Sequence, residues 1–396
     1  MSRLRGLYGD LMSRCVGLVA VAAVLSAGAI SGPSIADSQN GPASSPSRIK
    51  ALIFKEEITV GVPEGDEDYM FGSSVQFNVD DQGNIYATDW ESKQIKKFGP
   101  DGKHLLTFGR AGQGPGEFRN PGVARFAKDG TLYISENFGN KIMFFDTNGI
   151  YLNQTILPAD IFDIWITPAG TYLGNKEVAP LYVGQGPVEN TIAIFDGRFQ
   201  PIIELHRESF TFPDPSLSQA QAQAEITSEY LARPAARAVM GDDGRIYFGR
   251  SDKYAIDVLG PEGKKLITIS RDLEPLPYKK ADIDFFLKTY EESRMSMGQS
   301  ESLTKEYLRL IRFPNNKPYF RDLIPMEEGR LAVVVDIEGF EAAWLDVFDR
   351  EGRFLGRLKA AIPWMNMMFK KGKAYSLHRD DNGFLSIVRC GYEVQR

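Results

Sequence analysis

Residues 74–109 read SVQFNVDDQGNIYATDWESKQIKKFGPDGKHLLTFG, and residues 122–157 read GVARFAKDGTLYISENFGNKIMFFDTNGIYLNQTIL. Superposed, both give an apolar strand, an Asp-x-Gly or Asp-Gly turn, an Ile/Leu-Tyr strand, an acidic residue, and Lys/Gln-Ile ahead of Phe. The first block resolves into four short strands, SVQFNV, NIYATD, QIKKFG and KHLLTF, with turn residues between them. Joining the blocks is 108–126, FGRAGQGPGEFRNPGVARF, with five glycines and two prolines. A phosphate-binding P-loop needs Gly-x-x-x-x-Gly-Lys-Ser/Thr, and a dinucleotide site needs Gly-x-Gly-x-x-Gly opening a helix. Here Gly112-Gln113-Gly114 is followed by Glu117 at the required glycine, and a strand comes next. The stretch reads as a crossing between strand units.

Weaker copies follow downstream. They are IFDIWITPAGTYLGN with TIAIFDGRFQPIIEL, ARAVMGDDGRIYFGR with YAIDVLGPEGKKLITIS, RDLIPMEEGRLAVVVD with AAWLDVFDREGRFLGRL, and MNMMFKKGKAYSLHRDDNGFLSIVRC. The turn glycines Gly83, Gly130, Gly170, Gly244, Gly329 and Gly372 are spaced by 47, 40, 74, 85 and 43 residues. The two long steps contain helical text. SLSQAQAQAEITSEYLARP follows Asp214-Pro215, read as its N-terminal cap, and KKADIDFFLKTYEESRM with ESLTKEYLRLIRF suggests a helix pair between Lys279 and Phe313. Setting aside insertions at about 207–235 and 271–318 leaves roughly 47 residues for each of six units, the length of a four-stranded propeller blade. Such a sheet cannot bury both faces alone, so copies pack radially around a channel. The predicted fold is all-β, a six-bladed β-propeller spanning 48–396 with helical insertions on one face. The sixth unit supplies only three strands, and Ile49 to Val62 (IKALIFKEEITVGV) offers the missing outer one, which would close the ring and remove its edges.

The pairs Asp89-x-x-x-Lys93-Gln94-Ile95-x-x-Phe98 and Glu136-x-x-x-Asn140-Lys141-Ile142-x-x-Phe145-Asp146 resemble the NHL repeat. Gly112-x-Gly114-Pro115-Gly116-Glu117-Phe118-x-x-Pro121 is similar to the inter-blade linker of NHL-like six-bladed propellers of exported bacterial proteins. The resemblance is dense over about 74–157 and carried by spacing elsewhere. It implies architecture; the scaffold hosts receptors, lyases, lactonases and interaction modules alike.

Composition bounds the rest. The chain has 396 residues, 43% hydrophobic and 25% charged, which fits a globular protein. Arg3, Arg5 and Arg14 precede the apolar run VGLVAVAAVLSAGAI (16–30) and a turn ending in small residues, the layout of a signal peptide over 1–36 with cleavage after Ala36. Cleavage would take away three Arg and one Asp, moving the formal charge from −6 to −8. Residues 37–47 read as a flexible tether. The mature chain is expected to be periplasmic or extracellular, monomeric, without an integral membrane domain, and too acidic for nucleic acid. Only Cys390 would remain, excluding an internal disulfide and a zinc–thiolate site. The histidines His104, His206 and His378 are too few for a three-histidine zinc centre, and the first two fall on or just after outer strands, where a surface position is expected. Asp89 and Glu136 read as structural ties.

The candidate site is a column seven residues before each turn glycine, at the start of each innermost strand: Gln76, Val123, Asp163, Arg237 and Asp322, with Asn366 at a turn one residue shorter. Their neighbours Phe77, Ala124, Ile164, Ala238, Leu323 and Met367 are apolar, so the polar members should ring the channel mouth, with Arg125 and Arg321 nearby. Three roles are open for Gln76, Arg125, Asp163, Arg237, Arg321, Asp322 and Asn366. They satisfy one another; the arginines take a carboxylate or phosphate; or the oxygens of Gln76, Asp163, Asp322 and Asn366 hold Ca²⁺, as the resemblance to lactonase propellers implies. No cofactor is otherwise expected. Both insertions should emerge on the face of this column, with Tyr290, Met295, Met297, Tyr307 and Phe313 packing them down. The sequence thus points to a module binding a small anionic or carbohydrate-like ligand, or an envelope protein, at the mouth. The alternative is a divalent-metal-dependent, lactonase-like hydrolase or lyase, whose catalytic residues the sequence leaves unassigned.

Overall fold

Burial falls off along each repeat unit. Ile85–Asp89 and Leu132–Glu136 are buried at every position, whereas the last strands of the same two units, His104–Phe108 and Tyr151–Ile156, hold no buried residue. Alternation is lost where a strand has neighbours on both faces, which is the situation of the middle strands of a radial blade. The computed structural model describes residues 49, 51–136, 140–178, 186–211, 213–214, 216–296, 298–338, 342–360, 366–380 and 382–395. The expected signal segment, the tether and Met297 lie outside them.

The outer strand β1 (Ala51–Val60) comes first. Blade 1 then contains β2 (Val75–Val79), β3 (Ile85–Asp89), β4 (Gln94–Phe98) and β5 (His104–Phe108). A two-residue parallel pair, β6 (Arg110–Ala111) with β7 (Glu117–Phe118), lies in the crossing to blade 2. Blade 2 is β8 (Pro121–Phe126), β9 (Leu132–Glu136), β10 (Lys141–Phe145) and β11 (Tyr151–Ile156). Blade 3 is β12 (Ile161–Ile166), β13 (Tyr172–Val178), β14 (Val188–Phe195) and β15 (Pro201–Phe210). Blade 4 is β16 (Ala236–Met240), β17 (Ile246–Arg250), β18 (Ala255–Leu259) and β19 (Lys265–Ser270). Blade 5 is β20 (Asp322–Pro325), β21 (Leu331–Glu338), β22 (Ala342–Phe348) and β23 (Phe354–Ala360). Blade 6 is β24 (Met368–Lys370), β25 (Lys373–Arg379) and β26 (Leu385–Gln395), with β1 as its fourth strand. The chain is a six-bladed β-propeller of four-stranded antiparallel blades. As expected, the N-terminal strand completes the last blade, running antiparallel to β26 from Ala51↔Gln395 to Val60↔Ile387.

Six apolar clusters fill the six seams. Val75, Phe77 and Val79 of blade 1 meet Tyr375, Leu377 and Ile387 of blade 6, and each other pair of neighbouring blades has its own such cluster. Cys390 sits in the seam between blades 5 and 6 as a small buried hydrophobe, with burial pushing its thiol up. All six turn glycines adopt positive φ, from 66° to 87°, which L side chains resist.

The insertions hold α1 (Gln219–Ala232), between blades 3 and 4, and α2 (Lys280–Ser296) with α3 (Glu301–Leu310), between blades 4 and 5. The N-cap of α1 is Ser218 rather than Asp214. Ser218 has Gln221 three residues on and forms a reciprocal capping box with it, while Asp214 accepts from the Ser216 amide in the preceding turn. The helices form a small core of their own from Ala220, Ala224, Phe286, Tyr290 and Tyr307, with Phe313 at its edge; Met295 stays exposed.

Candidate functional site

In blades 1, 2, 4 and 5 the second strand ends beside the segment that enters the first, and polar side chains bind the two together. Asp89 accepts from the Gly72 amide at 3.0 Å, and Glu136 from the amides of Arg119 and Asn120. Ser251 does the same for Ala235 in blade 4, and in blade 5 Lys317 spans Asp336 and Asp282 of α2. These contacts fix the height at which the inner strands of those blades begin. Asp89 and Glu136 are structural ties, as expected.

The structure divides the predicted ring of polar residues into two seams. Between blades 2 and 3, Arg125 is buried and donates to Asp163 at 2.6 Å and to the Ile164 carbonyl at 3.1 Å, with its guanidinium over the Trp165 ring at 4.0 Å. Its Nε is buried without a partner. Asp163 holds φ of 52°, in the left-handed region that Asp tolerates better than most residues, at a bulge of β12. Between blades 4 and 5, Arg237 reaches across to the Arg321 carbonyl at 3.3 Å. Burial pushes the Asp322 carboxyl up, against the pull of the Arg237 charge and of the Leu323 amide, which donates to it at 2.8 Å. Among the described residues neither Arg237 nor Arg321 has an acidic partner within 4.0 Å. Gln76 and Asn366 are exposed and stand apart, with no side-chain hydrogen bond among the described residues. Asn366 lies just outside its strand with φ of 50°, so the column is offset there.

The opposite end of the channel carries residues that sequence reasoning missed. Lys370 of blade 6 lies 2.7 Å from Asp81 of blade 1 and 2.7 Å from Asp242 of blade 4, which faces blade 1 across a six-membered ring. Burial alone would lower the Lys370 ammonium, and the two carboxylates more than offset it, holding it above its ordinary value. The three groups draw three blades together over the channel floor. The signal was available: Asp81, Asp242 and Lys370 each stand two residues before a turn glycine.

The glycine-rich crossing does cradle an anion, its own. Glu117 accepts from the amides of Gln113 at 3.0 Å and Gly114 at 2.9 Å and from Arg110 at 2.9 Å, and the Gly114 amide and Arg110 hold its carboxyl below the usual range. A Cβ at Gly112 would overlap that carboxylate. The histidines also differ from expectation. His104 and His206 sit on outer strands, but their side chains are only 17% and 10% exposed, because aromatic rings cover them: Tyr69 and Phe98 against His104, and Phe248 against His206.

A cation fits the mouth poorly. Asp163 is engaged by Arg125 and Asp322 faces Arg237, so two of the four expected oxygen donors already answer guanidinium groups. Among the described residues no group of three or more His, Cys, Asp or Glu could hold a metal ion.

Comparison with known proteins agrees on architecture. The profile of a family described as a 6-bladed beta-propeller, DUF5128, matches residues 64–177, from blade 1 into blade 3. No curated protein matches the chain in sequence. Among solved structures, a Bacteroides fragilis protein assigned as exported is 11% identical, with 89% of this chain and 98% of that one covered at a TM-score of 0.52. A member of the DUF4221 family from Bacteroides vulgatus is 9% identical, with 88% and 100% covered at 0.50. Virginiamycin B lyase from Staphylococcus aureus is 12% identical, with 86% and 99% covered at 0.42, too remote to bear on chemistry. Among the described residues no helix is long and apolar enough to cross a membrane.

Proposed function

We propose that this propeller is an exported binding module that takes a small anion at the channel mouth, at the seam of blades 4 and 5. The observation that carries the reading is the pair Arg237 and Arg321, adjacent across one seam and with no acidic group within 4.0 Å among the described residues, whereas Arg125 is already neutralised by Asp163 at 2.6 Å. Arg321 without a carboxylate within 4.0 Å among the described residues, and Arg237 facing only Asp322 at longer range, favour a carboxylate or phosphate, which guanidinium groups can grip through two parallel hydrogen bonds. Burial pushes the Asp322 carboxyl up beside them, which weakens its competition with the ligand for Arg237. The helices α1 to α3 lie in the outer-to-inner crossings that lead into blades 4 and 5, the two blades of this seam. Export rests on the basic, apolar and small-residue order of 1–36.

Calorimetric titration of the mature protein with citrate and with inorganic phosphate tests this. Arg237→Gln and Arg321→Gln should each weaken binding by about ten-fold, the loss of one charge-assisted contact. Unchanged affinity in both variants overturns the mouth as the site. Stoichiometric Ca²⁺ uptake lost in Asp163→Ala and Asp322→Ala would instead favour the metal-dependent hydrolase or lyase.

A further inference from the structure

A second concavity lies on the flank of blade 4 that faces blade 3. It has a volume of about 200 Å³ and is lined by Phe248, Arg250, Lys253, Asp257, Lys265 and Thr268, with Gly249 and Ala255. The register explains it. Phe248 is directly opposite Asp257, and Asp257 opposite Thr268, so these three form one row across β17, β18 and β19. In the next row toward the mouth the small Ala255 stands between Arg250 and Ser270, and the missing side-chain volume is the hollow. Blade 3 does not fill it, because blades diverge outward and the contact of blade 3 here is the His206 ring against Phe248, 6.3 Å between centroids.

The lining has unused bonding capacity. Arg250 Nε is buried without a hydrogen-bond partner, although its Nη2 pairs with Asp252 at 3.0 Å. Among the described residues the Lys253 ammonium has no carboxylate within 4.0 Å, and Asp257 acts on it only at longer range. Lys265 and Thr268 both bond the same oxygen of Asp257, each at 2.7 Å, leaving the other oxygen open as an acceptor. A buried donor left unmatched costs stability, and such groups in a native protein call for a partner.

We propose that this hollow is a second binding site, for a monosaccharide-sized ring that carries hydroxyls and one anionic group. The anion meets Lys253 and Arg250, ring hydroxyls donate to the open oxygen of Asp257, and the apolar ring face lies on Phe248. Size agrees: about 200 Å³ is the space of roughly six or seven waters, enough for one sugar unit and too little for two. The same recognition serves a hexuronic acid and a hexose phosphate.

Titration calorimetry with D-glucuronate, D-glucose 6-phosphate, neutral D-glucose and inorganic phosphate tests the site on the full mature chain. Saturable binding of either charged sugar, about ten-fold tighter than glucose and inorganic phosphate, is expected; which of the two wins identifies the anion. Lys253→Gln, an exposed change that leaves the fold intact, should weaken it by about ten-fold, while Arg321→Gln at the mouth leaves it unchanged. Inorganic phosphate binding as tightly as the sugars, and weakened by Lys253→Gln but not by Arg321→Gln, overturns the proposal, since the aromatic wall would then contribute nothing. So does the reverse pattern, sensitivity to Arg321→Gln with indifference to Lys253→Gln, which assigns the ligand to the mouth.

Discussion

Asp322 shows what one residue contributes at this mouth. Its carboxyl is pushed up by burial, so the neutral form is easier to reach in the folded chain than in the unfolded one. A group with a raised folded pKa adds stability fully only below its unfolded value, and loses it as pH rises through the folded one. Near about pH 7 Asp322 therefore costs stability, a pattern common at binding and catalytic sites. Asp322→Asn should unfold at higher temperature than wild type at neutral pH, with the gain fading as pH falls below the ordinary aspartate range. Thermal scans across pH check this, and a variant less stable than wild type at neutral pH would contradict it. Asp163 is a different case, since its charge neutralises a buried guanidinium and its backbone sits at φ of 52°. Identical residue types in one sequence column thus have opposite electrostatic roles.

At the scale of elements, blades are held by apolar seams and, between blades 4 and 5, also by a buried carboxylate. Asp346 of β22 is fully buried and accepts from Tyr254 at 2.8 Å, Arg271 at 2.7 Å, and Arg357 at 2.6 and 2.9 Å. Two of these donors belong to blade 4, so the cluster ties blades 4 and 5 directly below the α2–α3 insertion. Removing one partner of a buried charge cluster is expensive, and Asp346→Asn should cost about 3 kcal/mol in urea denaturation. A loss under about 0.5 kcal/mol would show that the seam stands on apolar packing alone. The insertions follow another logic: their aromatic residues make a core of their own, with Thr227 and Tyr307 sharing a hydrogen bond at 2.7 Å. Helix propensity made these segments visible in sequence. What Tyr290 and Tyr307 pack against was not visible, because both helical faces looked alike as text.

At the scale of the whole molecule, closure rests on β1. Deleting residues through Val60 would strip the edge of β26 and remove Leu52 and Val60 from two adjoining seams. An open, long, apolar strand edge invites pairing with another chain. The truncated chain should self-associate in size-exclusion chromatography with light scattering and lose its single cooperative unfolding transition, whereas a monomer with unchanged unfolding would refute closure by this strand. Blade number, the closing strand, the turn glycines and the places of the helices were all legible in the sequence, because period, φ-permissive residues and helix signals are local. The column around Arg237 and Asp322 was legible as a list of polar residues at matching positions. Which of them are free and which are spent was decided only in three dimensions. Arg125 finds Asp163 across a seam, Glu117 fills the glycine-rich loop, and Lys370 meets Asp81 and Asp242 from blades far apart in sequence. Sequence position fixes a residue's place within its own blade, but charge pairing depends on distance between blades, and that distance exists only once the ring has closed.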